Sequence, residues 1–163
     1  MIEIRDGIRE DCMEVYPMVK AMIHEWTQMT IDPWPLKGCA RGFERLIFDE
    51  KGARLAVALV DGKICGYVFF TNSASSLNCM TSLTMENFYV KPEYRRKGVG
   101  SEMYRFMQKK TIEEGRLGLE WFSVARRSGD NCFFEKMGGR PGEVRFTYHW
   151  NNGIEAPENP AEE

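Results

Sequence analysis

The segment FYVKPEYRRKGVGS, Phe88 to Ser101, gathers the residue types that hold phosphate. A strand-like run ends at Val90, Pro92 forces a turn, and a helical pattern starts near Gly98. A helix N-terminus presents unpaired amides and a partial positive charge, so it draws an anion. Gly98 and Gly100 carry no side chains, so a pyrophosphate can approach the backbone closely. Arg95, Arg96 and Lys97 add positive charge at the same turn, and Ser101 adds a hydroxyl. Stripped of context, the pattern is a basic surface turn with two glycines. The strand before it and the amphipathic helix after it set it apart. It is neither a GxxxxGK loop nor a GxGxxG fingerprint, since both are absent.

Such a turn needs a scaffold, and the rest of the chain reads as one. Ile2 to Arg5 is a short strand, and Asp11 is placed to cap a helix. Val15, Met18, Val19, Met22, Ile23 and Trp26 recur at helical spacing and predict that helix as far as about Met29. Thr30 to Gly42, with Pro33, Pro35 and two glycines, reads as loop, and Phe43 to Phe48 as a short helix. Leu55 to Val60 and Ile64 to Thr71 flank Asp61-Gly62 and predict a hairpin. Ser73 to Asn78 reads as a polar loop and Leu83 to Val90 as a strand. Gly98 to Glu114 carries Val99, Met103, Phe106, Met107 and Ile112 on one helical face. Leu119 to Ala125 is a strand, Asn131 to Met137 a short helix closed by Gly138-Gly139, and Glu143 to Trp150 a last strand. The order β-α-α-β-β-β-α-β-α-β predicts an α/β fold of the mixed α+β kind, a mixed sheet with helices on its faces. Residues 1–150 are expected to form one domain, and the acidic tail 151–163 to be disordered.

Composition narrows the function. A net charge of -2 argues against a dedicated nucleic-acid binder. The five cysteines are odd in number and show no CxxC spacing, which fits free thiols in a reducing compartment. No apolar run approaches the ~20 residues that cross a bilayer, and MIEIRDGIRED lacks the apolar core of a signal peptide. A soluble, cytoplasmic protein without membrane partner is expected, with a homodimer left open. His24 lies beside Glu25, but no HExxH follows, so no metal site is expected.

The turn resembles the hallmark of the GNAT superfamily of acetyltransferases, Gln/Arg-x-x-Gly-x-Gly/Ala after a strand, which Arg95-Arg96-Lys97-Gly98-Val99-Gly100 meets. FFEKMGG, Phe133 to Gly139, is similar to that family's FYxKxGF. The resemblance implies a twisted mixed β-sheet with helices on both faces, and acetyl-CoA as co-substrate without a metal. It implies that amides from Arg96 to Ser101, Val99 included, hold the pyrophosphate, and that the backbone of Phe88, Tyr89 and Val90 pairs with the pantetheine arm. Asn131 either binds that arm or caps its short helix. Within the superfamily the chain is most similar to the diamine (spermidine/spermine) and thialysine acetyltransferases, on the IRxxxxxDC pattern of Ile4 to Cys12, MENFYVKPEYRRKGVGSE, and Val124-Ala125.

Acetyl transfer requires a neutral amine, and an alkylamine of pKa ~10 is protonated at neutral pH, so a base must take its proton. The resemblance puts a catalytic glutamate at Glu86. Strand alternation puts Glu86 on a face with Phe88 and Val90, in partly apolar surroundings; the alternative is a solvated strand residue. A backbone amide near Tyr89 or Val90 would stabilise the developing oxyanion. The family's tyrosine acid falls at Phe134, which leaves Tyr148, Tyr94 or water for that proton. For substrate, Glu25 and Asp32 are the candidate acids. Asn87 stands where the diamine enzymes carry an acid beside the glutamate, which favours a smaller amine such as thialysine over long polyamines. A protein, peptide or aminoglycoside acetyltransferase, or a weakly catalytic CoA-binding module, remain as alternatives.

Overall fold

The hairpin at Asp61-Gly62 sits at the heart of the sheet. Asp61 and Gly62 both take positive φ, 50° and 77°, as a two-residue turn matched to strand twist requires. They join β2 (Arg54–Val60) to β3 (Lys63–Ser75). The computed structural model describes residues 1–27, 38–122 and 131–140. Around the hairpin, β1 (Ile2–Asp6) pairs antiparallel with β2, and β4 (Met80–Val90) antiparallel with β3. Then β5 (Leu119–Trp121) pairs parallel with β4, giving the order β1-β2-β3-β4-β5. The parallel step needs a crossover, supplied by the helix α3 (Val99–Glu113).

Helices cover both faces. α1 (Asp11–Thr27) and α2 (Ala40–Phe48) bury Cys12, Val15, Met18 and Ile47 against Leu55, Val57, Leu59, Ile64, Tyr67 and Tyr89. On the opposite face α3 lies close to the sheet at Gly66. A Cβ there would stand 2.7 Å from the Tyr89 carbonyl oxygen and 3.0 Å from Met103 Sδ. The far end of α3 is tied down by Glu114. Its carboxylate accepts two bonds from Arg54, at 2.8 and 2.6 Å, and two from Arg116, at 3.2 and 3.0 Å.

Several boundaries differ from the sequence expectation. Ser73 to Asn78 is not all loop, since β3 runs to Ser75 and β4 begins at Met80. Thr71, Ser73 and Ser75 alternate half-buried with exposed Asn72 and Ala74, and Thr84 Oγ1 donates to Ser73 Oγ at 3.0 Å. Hydroxyl ladders support strand pairing as well as aliphatic ones do. α2 starts at Ala40, because Cys39 caps it, its Sγ accepting from the Gly42 amide at 3.3 Å. Asp11 is the first residue of α1 rather than its cap. It reaches back to the Ile8 amide at 2.8 Å and takes both Arg5 nitrogens, at 2.6 and 2.9 Å. The bond to Ile8 spans three residues and closes the turn that leads into α1. Burial alone would raise the Asp11 pKa, but these bonds outweigh it and hold it below the usual carboxylate range.

The described residues fall into two compact units, one holding β1–β5 and α1–α3. The other holds α4 (Asn131–Lys136), where the Gly139 amide donates to the Phe134 carbonyl at 2.9 Å after Gly138 at φ 90°. The expected ends of α1 and β5 past residues 27 and 122, Asp32, Trp34, the strand Glu143 to Trp150 with Tyr148, and the tail 151–163 lie outside the described residues. Among the described residues no helix is long and apolar enough to cross a membrane.

Candidate functional site

The Lys91 amide donates to the Cys65 carbonyl at 2.9 Å, so the antiparallel alternation makes Tyr89 and Tyr67 a hydrogen-bonded pair. Phe88 and Val90 therefore aim N–H and C=O the other way. On that side, among the described residues, β5 pairs with β4 from Leu83 to Met85. The chain then passes a 3-10 turn, Pro92–Tyr94, and enters α3 through Arg96 at φ 61° and Gly98 at φ 89°. The first helical bond runs from the Glu102 amide to the Gly98 carbonyl, 3.1 Å. The amides of Val99, Gly100 and Ser101 thus have no acceptor within the helix. Gly98 caps α3 without a side-chain bond, while Val99, 1% exposed, anchors the helix start in the core. Arg96, Lys97 and Gly98 are exposed. Backbone donors, a left-handed glycine and the exposed basic side chains of Arg96 and Lys97 share one turn, the arrangement a pyrophosphate fits.

Glu86 is placed by a bulge. β3 pairs Phe69 with Asn87 but Phe70 with Met85, so Glu86 is an extra residue on β4. The expectation that Glu86 shares a face with Phe88 and Val90 is therefore overturned. Those two stand opposite Val68 and Gly66, on the α3 face. Glu86 turns to the other face, where the Thr71 hydroxyl donates to its Oε1 at 2.9 Å. It is exposed there, not set in partly apolar surroundings. Asn87, half-buried, donates from Nδ2 to the Glu86 carbonyl at 2.9 Å.

Glu25 and Arg95 meet at the end of α1. Arg95 Nη2 lies 3.0 Å from each Glu25 oxygen, and its Nε donates to the Val90 carbonyl at 2.7 Å. Tyr89 Oη donates to Glu25 Oε1 at 3.0 Å. Burial first, and this carboxylate second, raise the Tyr89 pKa. Arg95 and Glu25 are thus already occupied by one another, a pairing across 70 residues for which the sequence offers no signal. The Thr71 partner of Glu86 was equally hidden. Tyr94 lies in the 3-10 turn, its ring 6.0 Å from Lys97 Nζ. In the second unit, Asn131 opens α4, and the Phe133 and Phe134 rings meet edge-on at 5.1 Å. No cluster of His, Cys, Asp or Glu fit for a metal occurs among the described residues.

Residues 51–138, from the turn before β2 through α4, match the family model described as an acetyltransferase (GNAT) domain. The chain belongs to the GNAT acetyltransferase family. It is an N-acetyltransferase, of a family that takes its acetyl group from acetyl-CoA. Solved structures share this GNAT fold. A possible acetyltransferase from Clostridium difficile is 18% identical at TM-score 0.79, over 93% of this chain and 98% of that one. The ribosomal-protein-alanine N-acetyltransferase of Brucella melitensis is 15% identical at TM-score 0.73, over 93% and 100%. The glucosamine-6-phosphate N-acetyltransferase of Arabidopsis thaliana is 17% identical at TM-score 0.66, over 93% and 99%. Identities this low speak to the fold, and the two whose names state an acceptor differ in it.

Proposed function

We propose that this GNAT acetyltransferase moves the acetyl group of acetyl-CoA to the primary amine of a small molecule, a diamine, a short polyamine or a thialysine-like amino acid. The observation that carries the reading is the bulge, which turns the Glu86 carboxylate out to solvent on the strand that leads to the phosphate turn. Acetyl-CoA supplies the activated acetyl group. The amides from Arg96 to Ser101 hold its pyrophosphate, with charge from Arg96 and Lys97, and the backbone groups of Phe88 and Val90 that face away from β3, apart from the Val90 carbonyl that Arg95 holds, pair with its pantetheine arm. Of the two expected donors to the thioester oxygen, the Tyr89 amide is turned to Tyr67 within the sheet, which leaves the Val90 amide as the candidate. Glu86 takes the amine proton, directly or through water. Phe134 is assigned to the coenzyme by the family pattern of FFEKMGG alone, and Asn131, two residues before that pattern, by the resemblance alone.

The substrate class follows from charge. A long polyamine needs carboxylates spaced along its path. Beside Glu86 stands neutral Asn87, and Glu25 is already held by Arg95 and Tyr89. Among the described residues that leaves Glu86 as the candidate acid not held by a cation, which suits a short amine, or one that carries its own carboxylate. Buried Cys12, whose thiol burial pushes up to about 11, and free Cys39, Cys65 and Cys79 fit the cytoplasm we assign.

Turnover with spermine, putrescine, thialysine and a peptide panel tests the reading. Putrescine or thialysine should lead in kcat/KM. A spermine preference of about tenfold, ~1.4 kcal/mol, or faster peptide turnover, would overturn it.

A further inference from the structure

Arg95 opens the phosphate-turn motif, yet its guanidinium is committed elsewhere. Nε donates to the Val90 carbonyl at 2.7 Å, Nη2 spans both Glu25 oxygens at 3.0 Å, and Cζ lies 5.2 Å from the centre of the Tyr89 ring. Tyr89 Oη returns to Glu25 at 3.0 Å. The Tyr89 ring lies 6.1 Å from Tyr67, whose hydroxyl contacts Met22 Sδ at 3.5 Å, back on α1. These contacts close a ring: α1 to Arg95, Arg95 to β4, β4 to β3, β3 to α1.

We infer that Glu25 is a positioning residue for the coenzyme turn, acting through Arg95. The inference rests on reading residues 95–101 as the pyrophosphate turn. Arg96 is left-handed, a conformation a side chain adopts only when its surroundings enforce it. The residue just before it is the one Glu25 and Val90 fix. With Arg95 pinned at two atoms, the amides of Arg96 to Ser101 are ordered before the ligand arrives, and binding no longer carries that ordering cost. Coulomb attraction is the lesser part, since both side chains are 41% exposed and such a pair contributes little on its own. Arg95's charge is meanwhile offset by Glu25, so attraction for phosphate falls to Arg96 and Lys97.

The inference fixes a sign that simple electrostatics reverses. Glu25 is an anion beside a site for a polyanion, so removing its charge should tighten coenzyme binding if charge alone mattered. A positioning role requires weaker binding instead. CoA affinity is measured by calorimetry for Glu25→Gln, Arg95→Gln and the double variant, with thermal unfolding as a check on folding. Each single variant is expected to lose about fivefold in affinity, the double to lose no more than the worse single, and kcat at saturating acetyl-CoA to stay within about twofold. Unchanged or tighter CoA binding by Glu25→Gln, fully additive losses, or a raised amine KM with coenzyme affinity intact would each overturn the inference. Gly100→Leu is the control on the underlying reading. If it binds CoA like the parent protein, the turn assignment itself fails. If it abolishes binding while Glu25→Gln does not weaken it, only the positioning role fails.

Discussion

Thr71 donates its hydroxyl to Glu86 Oε1 at 2.9 Å across the β3–β4 ladder, at the point where β4 carries one residue too many. The bond gives an exposed carboxylate one preferred direction. Thr71→Val keeps the strand's shape and removes the donor, and a hydrogen bond to a charged group contributes about 1.5 kcal/mol. We expect kcat to fall about tenfold with coenzyme affinity unchanged. Steady-state kinetics at saturating acetyl-CoA checks this, and an unchanged kcat would remove Thr71 from the site.

Glu86→Gln should lower kcat further than Thr71→Val. The loss is expected to be larger at pH 7 than at pH 9, because more of an amine of pKa ~10 is already neutral at the higher pH. A pH–rate profile parallel to that of the parent enzyme would take Glu86 out of the mechanism.

Gly66→Ala tests how closely α3 sits. In an open site the change stabilises by about 0.4–1 kcal/mol through the unfolded chain. Here the new methyl would meet the Tyr89 carbonyl oxygen at 2.7 Å and Met103 Sδ at 3.0 Å, so something must move. Denaturant titration should show a net loss of about 1–3 kcal/mol.

Glu114 predicts an acid-sensitive fold. The Arg54 hydrogen bond, against burial, lowers its pKa from 4.5 to about 2. A depressed carboxylate contributes its stability above the unfolded pKa and loses it as pH falls through the folded one. Glu114→Gln should therefore cost about 2 kcal/mol at pH 7, with the gap closing between pH 4.5 and about 2. Chemical denaturation of both proteins across that window is the measurement.

The strand, turn and helix from β4 to α3 were legible because everything that makes them is contiguous: the apolar end of β4, Pro92, Gly98 and the α3 face lie within one short stretch. The hairpin was legible for the same reason. Cys39 as a helix cap was hidden because sulfur is a rare stand-in for a hydroxyl there. The hydroxyl-bearing half of β3 looked like loop, since period-2 alternation of serines and threonines carries no hydrophobic contrast. The face of Glu86 could not be read at all. Alternation counts residues along one strand, and a bulge is set by the count on two.

That extra residue also separates folding from chemistry. Because β3 meets Met85 and Asn87 at consecutive positions, Phe70 and Phe69, excising Glu86 alone would leave two flanks already in register, joined as an unbroken ladder. Such a deletion would silence the proposed base while sparing every neighbouring strand pair. Run in reverse, a single inserted codon in a regular hairpin arm is enough to push a carboxylate out of the pleat, so a reactive position here can arise or vanish by a change in length, with no side chain exchanged.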